Sequence, residues 1–202
     1  MPELSSVDHS TSPPRVHFPR EYNAAHDLIQ RNLLAGRGGK NAFIDDAGSY
    51  SYVELSRRVN RFANAITALG VQPEQRVLLC LLDSIDFPVA FLGCILAGVI
   101  PVAANTLLTT DDYDYMLRDS RARALIVSDL LWPKFAPIVQ RLPRLQHIVL
   151  SGTMPGACEP KLASFSELCE AASEVFAPQA TSPDEACFWL YSSGSTGAPK
   201  GT

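Results

Sequence analysis

The chain has 202 residues, 47% of them hydrophobic, and carries 17 lysines and arginines against 21 aspartates and glutamates, a net charge of −4. This length and apolar content are sufficient for a substantial buried core and predict one or two domains. Because the cationic residues are scattered and form no basic stripe, the composition argues against a nucleic-acid partner.

Cysteine and histidine spacing argues against a disulfide framework or a zinc site. The five cysteines are odd in number, widely spaced and without a C-x-x-C pair, which is typical of a reduced, cytoplasmic protein. The four histidines show no metal-ligand spacing either, so no metal-ligating residue is predicted. Residues 1–20 are polar and contain prolines, without the basic-then-apolar order of a signal peptide, and predict a flexible lead.

The next elements in chain order are a helix over residues 24–34, a hairpin around Ala47-Gly48-Ser49, and a second helix. Ser51 and Glu54 have the spacing of a capping box, which predicts the start of this second helix, and Gly70 predicts its end. Its apolar side chains recur at helical spacing on one face: Leu55, Val59, Phe62, Ile66 and Leu69.

A stretch of 18 uncharged residues, 87–104, reaches the lower limit for a membrane-spanning helix. Pro88, Gly93, Gly98 and Pro101 interrupt it. Gly98 predicts the end of a helix, after which residues 99–103 predict a short buried strand. We therefore predict a soluble protein with no membrane partner.

Uncharged strands alternate with helices along the rest of the chain. The predicted strands are 77–82, 100–103, 124–127, 147–150 and 186–191, and the predicted helices are 87–97, 111–119, 130–141 and 165–172. This alternation predicts an α/β fold with a mainly parallel sheet that is covered by helices on both faces. The aspartates near the predicted helix starts are interpreted as helix-capping residues.

The segment after the last strand, Tyr191-Ser-Ser-Gly-Ser-Thr-Gly-Ala-Pro-Lys-Gly-Thr202, has the composition of a phosphate-binding loop. Glycines let the backbone approach a ligand closely, and successive N–H groups can form an anion-binding concavity. Hydroxyl donors are supplied by Ser192, Ser193, Ser195 and Thr196, and a mobile cation by Lys200. A flexible linker has a similar composition. A linker would not, however, require a single Pro-Lys-Gly sequence shortly after an apolar strand.

The spacing of this loop differs from that of a Walker A loop, in which glycine and lysine are adjacent and a helix follows. Ala198 and Pro199 separate Gly197 from Lys200, and Gly201 follows the lysine. Proline removes a backbone donor and glycine disfavours helix propagation, so no helix is predicted after Lys200. This argues against a Walker-type kinase or GTPase.

Residues 192–201 instead resemble the signature [ST]-[ST]-G-[ST]-T-G-x-P-K-G of adenylate-forming enzymes, the superfamily of acyl-CoA synthetases, luciferases and peptide-synthetase adenylation domains. Every position matches. Residues 70–77 are similar to the family's G-V-x-x-G-D-R-V step, with Glu74-Gln75 in place of Gly-Asp. Within the superfamily, the closest resemblance is to benzoate-CoA ligases, carried by residues 18–23, 79–87, 104–108 and 115–120.

The resemblance implies ATP-dependent activation of a benzoate-like acid through an acyl-adenylate, followed by thioester formation with coenzyme A and release of AMP and pyrophosphate. Family members are longer and have a large N-terminal and a small mobile C-terminal domain. Residues 21–202 would then be the first α/β subdomain of the large domain, and the chain alone would not catalyse the reaction. The implied partners are an aryl carboxylate, ATP with Mg²⁺, and CoA, and the implied assembly is a monomer or homodimer.

The resemblance also assigns roles to the loop residues. Phosphate contacts are expected from Ser193, Gly194, Ser195, Thr196 and Gly197, with Ser192 and Gly201 at the two ends of the site. Thr196 and Lys200 are the expected catalytic residues, and Ser192 or Thr196 is expected to reach Mg²⁺ indirectly. Asn105 and Thr106, at the end of another strand, are weaker candidates for lining a pocket.

Three alternatives remain open at this point: an adenylate-forming ligase for a fatty, cinnamic or hydroxybenzoic acid, a non-catalytic ATP-binding module, and an interaction domain with an incidental glycine-rich loop.

Overall fold

The computed structural model describes residues 2–155, 162–192 and 199–202. In chain order the strands are β1 Ser6–Asp8, β2 Arg15–His17, β3 Asn41–Asp45, β4 Gly48–Ser51, β5 Arg76–Cys80, β6 Ile100–Ala103, β7 Ala124–Ser128, β8 His147–Ser151, β9 Leu162–Ser164, β10 Trp189–Ser192 and β11 Lys200–Gly201. The helices are α1 Ala24–Leu34, α2 Tyr52–Ala68, α3 Asp86–Leu96, α4 Thr110–Asp119, α5 Trp132–Val139 and α6 Phe165–Glu170.

Seven of these strands form the main sheet, in the order β11-β10-β6-β5-β7-β8-β9. Every neighbouring pair is parallel except β10 and β11, which are antiparallel. The mainly parallel sheet predicted from the alternation of uncharged strands and helices is therefore confirmed. The carboxyl ends of the parallel strands share one edge of the sheet, at which β10 leads toward residue 193.

Helices cover both faces of this sheet. In β5, Val77 and Leu79 belong to the hydrophobic cluster under α1, α2, α3 and α6, whereas Leu78 and Cys80 belong to the cluster under α4 and α5. Alternate side chains of a strand point to opposite faces, so a strand buried on both sides must be apolar at every position. This explains the uncharged strand sequences and confirms the predicted helices on both faces.

Helix α2 begins after the predicted N-cap residue Ser51, but the Glu54 carboxylate accepts hydrogen bonds from Arg58, so the described structure has the Ser51 half of the capping box without the reciprocal bond. The Ser51 Oγ accepts a hydrogen bond from the Glu54 N–H at 3.2 Å. Four of the five predicted apolar side chains, Leu55, Val59, Phe62 and Ile66, are buried, and Leu69 packs at the margin of the same cluster. Gly93 permits the close approach of α3, because a Cβ at this position would lie 2.7 Å from a ring carbon of Phe62.

The uncharged stretch 87–104 divides into a helix and a strand, as predicted. Helix α3 ends at Leu96, Gly98 adopts a φ of +70°, and β6 begins at Ile100. A φ in this range favours glycine because it has no Cβ. None of the helices within the described residues has the length and apolar character needed to cross a membrane.

Three elements differ from the sequence-based expectations. The predicted lead contains the antiparallel pair β1 and β2, and β9 was not predicted; each of these strands has three residues and no long apolar run. The predicted helix 130–141 is a 3₁₀ turn over Asp129–Leu131 followed by the shorter α5; Pro133 lies in the first turn of α5, where the missing N–H leaves no helix hydrogen bond unmade, and Pro137 lies within the helix. Flexibility of residues 1–20 stays a prediction.

The capping box at the start of helix α4 has a contribution to stability that can be measured. The Thr109 side chain accepts a hydrogen bond from the Asp112 N–H at 3.3 Å, and the Asp112 carboxylate accepts one from the Thr109 N–H at 3.0 Å. We expect Thr109→Ala to lower the free energy of unfolding by about 1 kcal/mol, since it leaves a helix N–H without its acceptor. Urea denaturation of this variant beside Thr110→Ala measures the effect. Equal losses in both variants would contradict the capping role.

Candidate functional site

The functional loop predicted from the sequence connects two paired strands at the edge of the sheet. Ser192 lies opposite Lys200 and Tyr191 lies opposite Gly201 in the antiparallel pair β10–β11. Beyond them, Leu190 and Thr202 exchange two backbone hydrogen bonds of 2.9 Å. Ser192 and Lys200 are thus held side by side at the carboxyl edge of the sheet.

Three of the predicted site residues lie within the described chain: Ser192, Lys200 and Gly201. The other five, Ser193, Gly194, Ser195, Thr196 and Gly197, lie outside it. Lys200 is in a strand rather than a helix, which agrees with the expectation that no Walker-type helix follows the loop.

Ser192 and Lys200 present a hydroxyl and an ammonium group at one place. Directly opposed residues of an antiparallel pair place their side chains on the same face. Both residues are exposed. The Lys200 ammonium forms no ion pair or hydrogen bond with any residue that the structure describes. Its positive charge is therefore available to an anionic ligand at the carboxyl edge, which fits the phosphate groups of a nucleotide.

The opposite face of the hairpin is anchored to the protein. The Tyr191 hydroxyl donates a hydrogen bond of 2.6 Å to the Asp119 carboxylate at the end of α4. Burial, reinforced by this carboxylate, raises the pKa of Tyr191, so its hydroxyl stays protonated and donates. Gly201 lies against the same ring, because an added Cβ would be 3.4 Å from a ring carbon of Tyr191. The ring interactions hold β10 and β11 in place beneath the loop.

The chain after β6 lies beside this hairpin. Because β6 pairs in parallel with β10, Val102 opposite Trp189 and Ala103 opposite Leu190, residues 104–108 emerge at the same edge as residue 193. The Asn105 carbonyl accepts a hydrogen bond of 2.8 Å from the Tyr113 hydroxyl. The Lys134 ammonium donates to the carbonyls of Thr106 at 3.3 Å and Leu108 at 2.9 Å.

The β6–β10 pairing thus puts the loop of Asn105 and Thr106 at the same edge of the sheet as Ser192, the last residue of β10. Their side chains stay predicted pocket residues. Sequence reasoning identified this loop from its position after a strand, but it missed the Tyr113 and Lys134 contacts that hold it. Lysine and tyrosine on distant helices carry no local signal for such a contact.

The aspartates near helix starts have structural partners. Asp112 completes the α4 capping box, and Asp114 forms an i,i+4 ion pair of 2.7 Å with Arg118. Asp86, in the first turn of α3, accepts a hydrogen bond of 2.6 Å from the Ser151 hydroxyl. Burial raises the pKa of Asp86 despite this bond. The capping interpretation holds for Asp112.

The cysteines show no sign of a nucleophilic thiolate. Burial raises the pKa of the thiols of Cys80, Cys94 and Cys187, and raises that of Cys169 to about 12. These four are free thiols, and Cys158 lies outside the described residues. Within residues 2–155, 162–192 and 199–202, no three His, Cys, Asp or Glu side chains are arranged to hold a metal ion.

A parallel sheet that is covered by helices on both faces and presents Ser192, Lys200 and Gly201 at its carboxyl edge has the architecture of the α/β proteins that bind ligands at this edge. The family model described as AMP-binding enzyme matches residues 30–202, and the chain belongs to this family.

Several proteins to which the chain is similar are named as CoA ligases of aromatic acids. The chain is 58% identical over 200 residues to a benzoate–CoA ligase of Thauera aromatica, covering 98% of this chain and 37% of the relative. A solved benzoate CoA ligase from Burkholderia xenovorans LB400 is 43% identical with a TM-score of 0.77, covering 90% of this chain and 34% of that one.

A solved anthranilate CoA ligase in complex with anthranoyl-AMP is 36% identical, with a TM-score of 0.85, and covers 91% of this chain and 35% of that one. The chain therefore spans little more than a third of the length of the relatives it matches.

Proposed function

We propose that this chain forms the phosphate-binding part of an AMP-forming ligase that joins a benzoate-like aromatic acid to coenzyme A. The observation that carries the proposal is the β10–β11 hairpin, which holds Lys200 opposite Ser192 inside a complete adenylate-forming signature, with no partner for the Lys200 ammonium among the described residues. The 58% identity to a benzoate–CoA ligase supports the aromatic acid as substrate. The anthranoyl-AMP bound to a structural relative supports an acyl-adenylate intermediate.

The chemistry follows from the charges that the hairpin supplies. ATP contributes an α-phosphate that a carboxylate can attack, with pyrophosphate as the leaving group and the CoA thiol later displacing AMP. Lys200 provides a cation for the charge that develops on the departing pyrophosphate. Preorganised donors directed at developing charge are a large source of rate enhancement. Ser192 supplies a hydroxyl donor at the entrance to the loop.

The remaining loop residues complete this proposed site. Ser193, Gly194, Ser195 and Gly197 supply backbone and hydroxyl donors to the β- and γ-phosphates, and Thr196 is the second catalytic residue. Mg²⁺ accompanies ATP and is reached indirectly by the hydroxyl of Ser192 or Thr196. Gly201 pairs with Tyr191 in the β10–β11 ladder, and this pairing places Lys200 opposite Ser192.

We further propose that residues 21–202 form the first α/β subdomain of a larger N-terminal domain, preceded by a flexible lead over residues 1–20. The proposal includes a cytoplasmic location and a monomeric or homodimeric assembly. The length of the relatives supports the proposal that this chain holds only part of the active site, because it spans 37% of the benzoate–CoA ligase of Thauera aromatica and 33% of a 4-hydroxybenzoate–CoA/benzoate–CoA ligase of Rhodopseudomonas palustris. The isolated chain is accordingly proposed to lack acyl-adenylate formation.

Acid-dependent pyrophosphate release tests this function. The polypeptide translated from the complete reading frame that contains this chain is assayed with benzoate, 4-hydroxybenzoate, cinnamate and decanoate, each with ATP, Mg²⁺ and CoA. We expect the highest kcat/KM with benzoate, and no acyl-AMP from residues 1–202 alone. A preference for decanoate would contradict the aromatic assignment. Release that does not depend on any acid would contradict the ligase itself.

A further inference from the structure

A cavity lies at the amino edge of the sheet, whereas Ser192 and Lys200 lie at the carboxyl edge. Three of the residues that line it lie just before a strand of the main sheet: Glu74 before β5, Val99 before β6 and Cys187 before β10. Because these three strands are parallel, their amino ends share one edge, whereas Ser192 lies at the carboxyl end of β10, at the other edge. The cavity therefore belongs to a different part of the molecule from the proposed phosphate site.

The walls of this cavity are mainly apolar. Phe18, Ile95, Val99 and Ala186 line it, and Phe18 meets Tyr22 edge-to-face at 5.0 Å between ring centroids. The Cys187 thiol in the wall is neutral, since burial raises its pKa. The volume of about 370 Å³ is within the range of small-molecule pockets. These features suit the apolar body of a small organic ligand.

The charged groups of the cavity are all negative. Glu74 and Glu185 are its two ionisable carboxyl residues, and no Lys, Arg or His belongs to its lining. Neither carboxylate forms an ion pair or a hydrogen bond with a residue in the described part of the chain. The two nearby arginines are engaged elsewhere: Arg76 donates to the backbone carbonyls of Ser120 and Glu74, and Arg20 pairs with Asp184. Two negative charges at the rim are left without a counter-charge.

The backbone at Glu74 adds an independent observation. Its φ is +62°, in the left-handed region, where a residue with a Cβ is disfavoured by about 1–2 kcal/mol. Its N–H donates a hydrogen bond of 2.8 Å to the Gly98 carbonyl, so the turn is held in this conformation. Glycine would fit here without strain. The turn thus holds the Glu74 residue in the wall of the cavity.

We propose that this cavity binds a small organic cation, a primary ammonium group attached to an aromatic or aliphatic body. The body occupies the apolar wall beside Phe18 and Val99, and the ammonium lies at the rim with Glu74 and Glu185. Both glutamates are exposed, and charge complementarity selects the class of ligand because their two carboxylates attract a cation and repel an anion. The inference does not depend on the proposed ligase function, since it concerns the other edge of the sheet.

Calorimetric titration of the 202-residue chain with phenethylammonium and with the neutral analogue 2-phenylethanol tests this site at low ionic strength. We expect saturable binding of the ammonium, with a dissociation constant at least about fivefold lower than that of the alcohol. Glu185→Gln and Glu74→Gly should each reduce this preference, and the double variant should abolish it. Glu167→Gln, which changes a carboxylate outside the cavity, should leave it unchanged.

The Glu74→Gly variant also excludes misfolding as an explanation. It removes the left-handed strain, so we expect its free energy of unfolding to equal or exceed that of the unchanged chain while the cation preference falls. Equal affinities for the ammonium and the alcohol, no binding of either, or a preference that survives the double variant would overturn the proposal. Self-association that is lost in Glu185→Gln, without binding of either compound, would assign the cavity to a second copy of the chain instead.

Discussion

Replacing Lys200 by alanine in the complete ligase is expected to slow acyl-adenylate formation by about 10- to 1000-fold. Lys200 is the one cation in the signature segment 192–201, and its ammonium is exposed and has no partner among the described residues. Its removal leaves the charge on departing pyrophosphate without this stabilisation. The structure of the sheet should be unaffected, since the side chain of Lys200 contributes to no described hydrogen bond.

Rapid-quench measurement of the first turnover gives the rate of pyrophosphate release in this variant. Lys40→Ala is the matched control, because Lys40 is also exposed and its side chain makes no hydrogen bond within the described structure. Lys200→Arg, which keeps the charge in a different shape, should retain more activity than Lys200→Ala. An unchanged burst of pyrophosphate in Lys200→Ala would contradict the assigned role.

Phe135→Ala is expected to lower the free energy of unfolding by about 3–5 kcal/mol, the largest stability effect that we predict. Phe135 is fully buried in the cluster between α4, α5 and the sheet, and its ring stacks on Tyr113 with a centroid distance of 4.4 Å. Alanine would remove the ring and leave a cavity that the surrounding side chains fill only in part. Tyr113 would lose the ring that supports it.

Phe135→Ala should also affect the candidate site, through the contact between Tyr113 and Asn105. The Tyr113 hydroxyl donates to the Asn105 carbonyl, so a displaced Tyr113 should loosen the loop next to the hairpin. Urea denaturation measures the stability change, with Leu130→Ala as the control because Leu130 is 76% exposed. We expect Leu130→Ala to change stability by less than about 0.5 kcal/mol. A loss below about 1 kcal/mol in Phe135→Ala would contradict the packing described here.

Local patterns in the sequence predict the elements of this fold well. The N-cap at Ser51, the apolar face of α2 and the helix end at Gly98 each depend on residues a few positions apart, and the structure contains all three. The apolar strands predict a parallel sheet because only burial on both faces requires such a sequence. The phosphate loop could be predicted because its signature residues all lie within one short segment, 192–201.

Contacts between distant residues could not be predicted in this way. The hydrogen bond from Tyr191 to Asp119 joins positions 72 residues apart, and no periodicity relates them. The strand order of the sheet is equally non-local, because β10 lies beside β6 rather than beside β9. The cavity at the amino edge collects residues from position 18 to position 187, so only the folded chain brings its two carboxylates together.

The position of β10 has a consequence for the order in which the nascent chain can fold. Strands β6, β5, β7, β8 and β9 are contiguous in the sheet, and all precede β10 in the chain. During synthesis these five strands leave the ribosome before β10 does. Strand β10 then docks against the exposed side of β6 as a late addition. The hairpin that carries Lys200 is thus added to a finished scaffold, which lets its loop accumulate substitutions with little effect on whether the rest of the sheet folds.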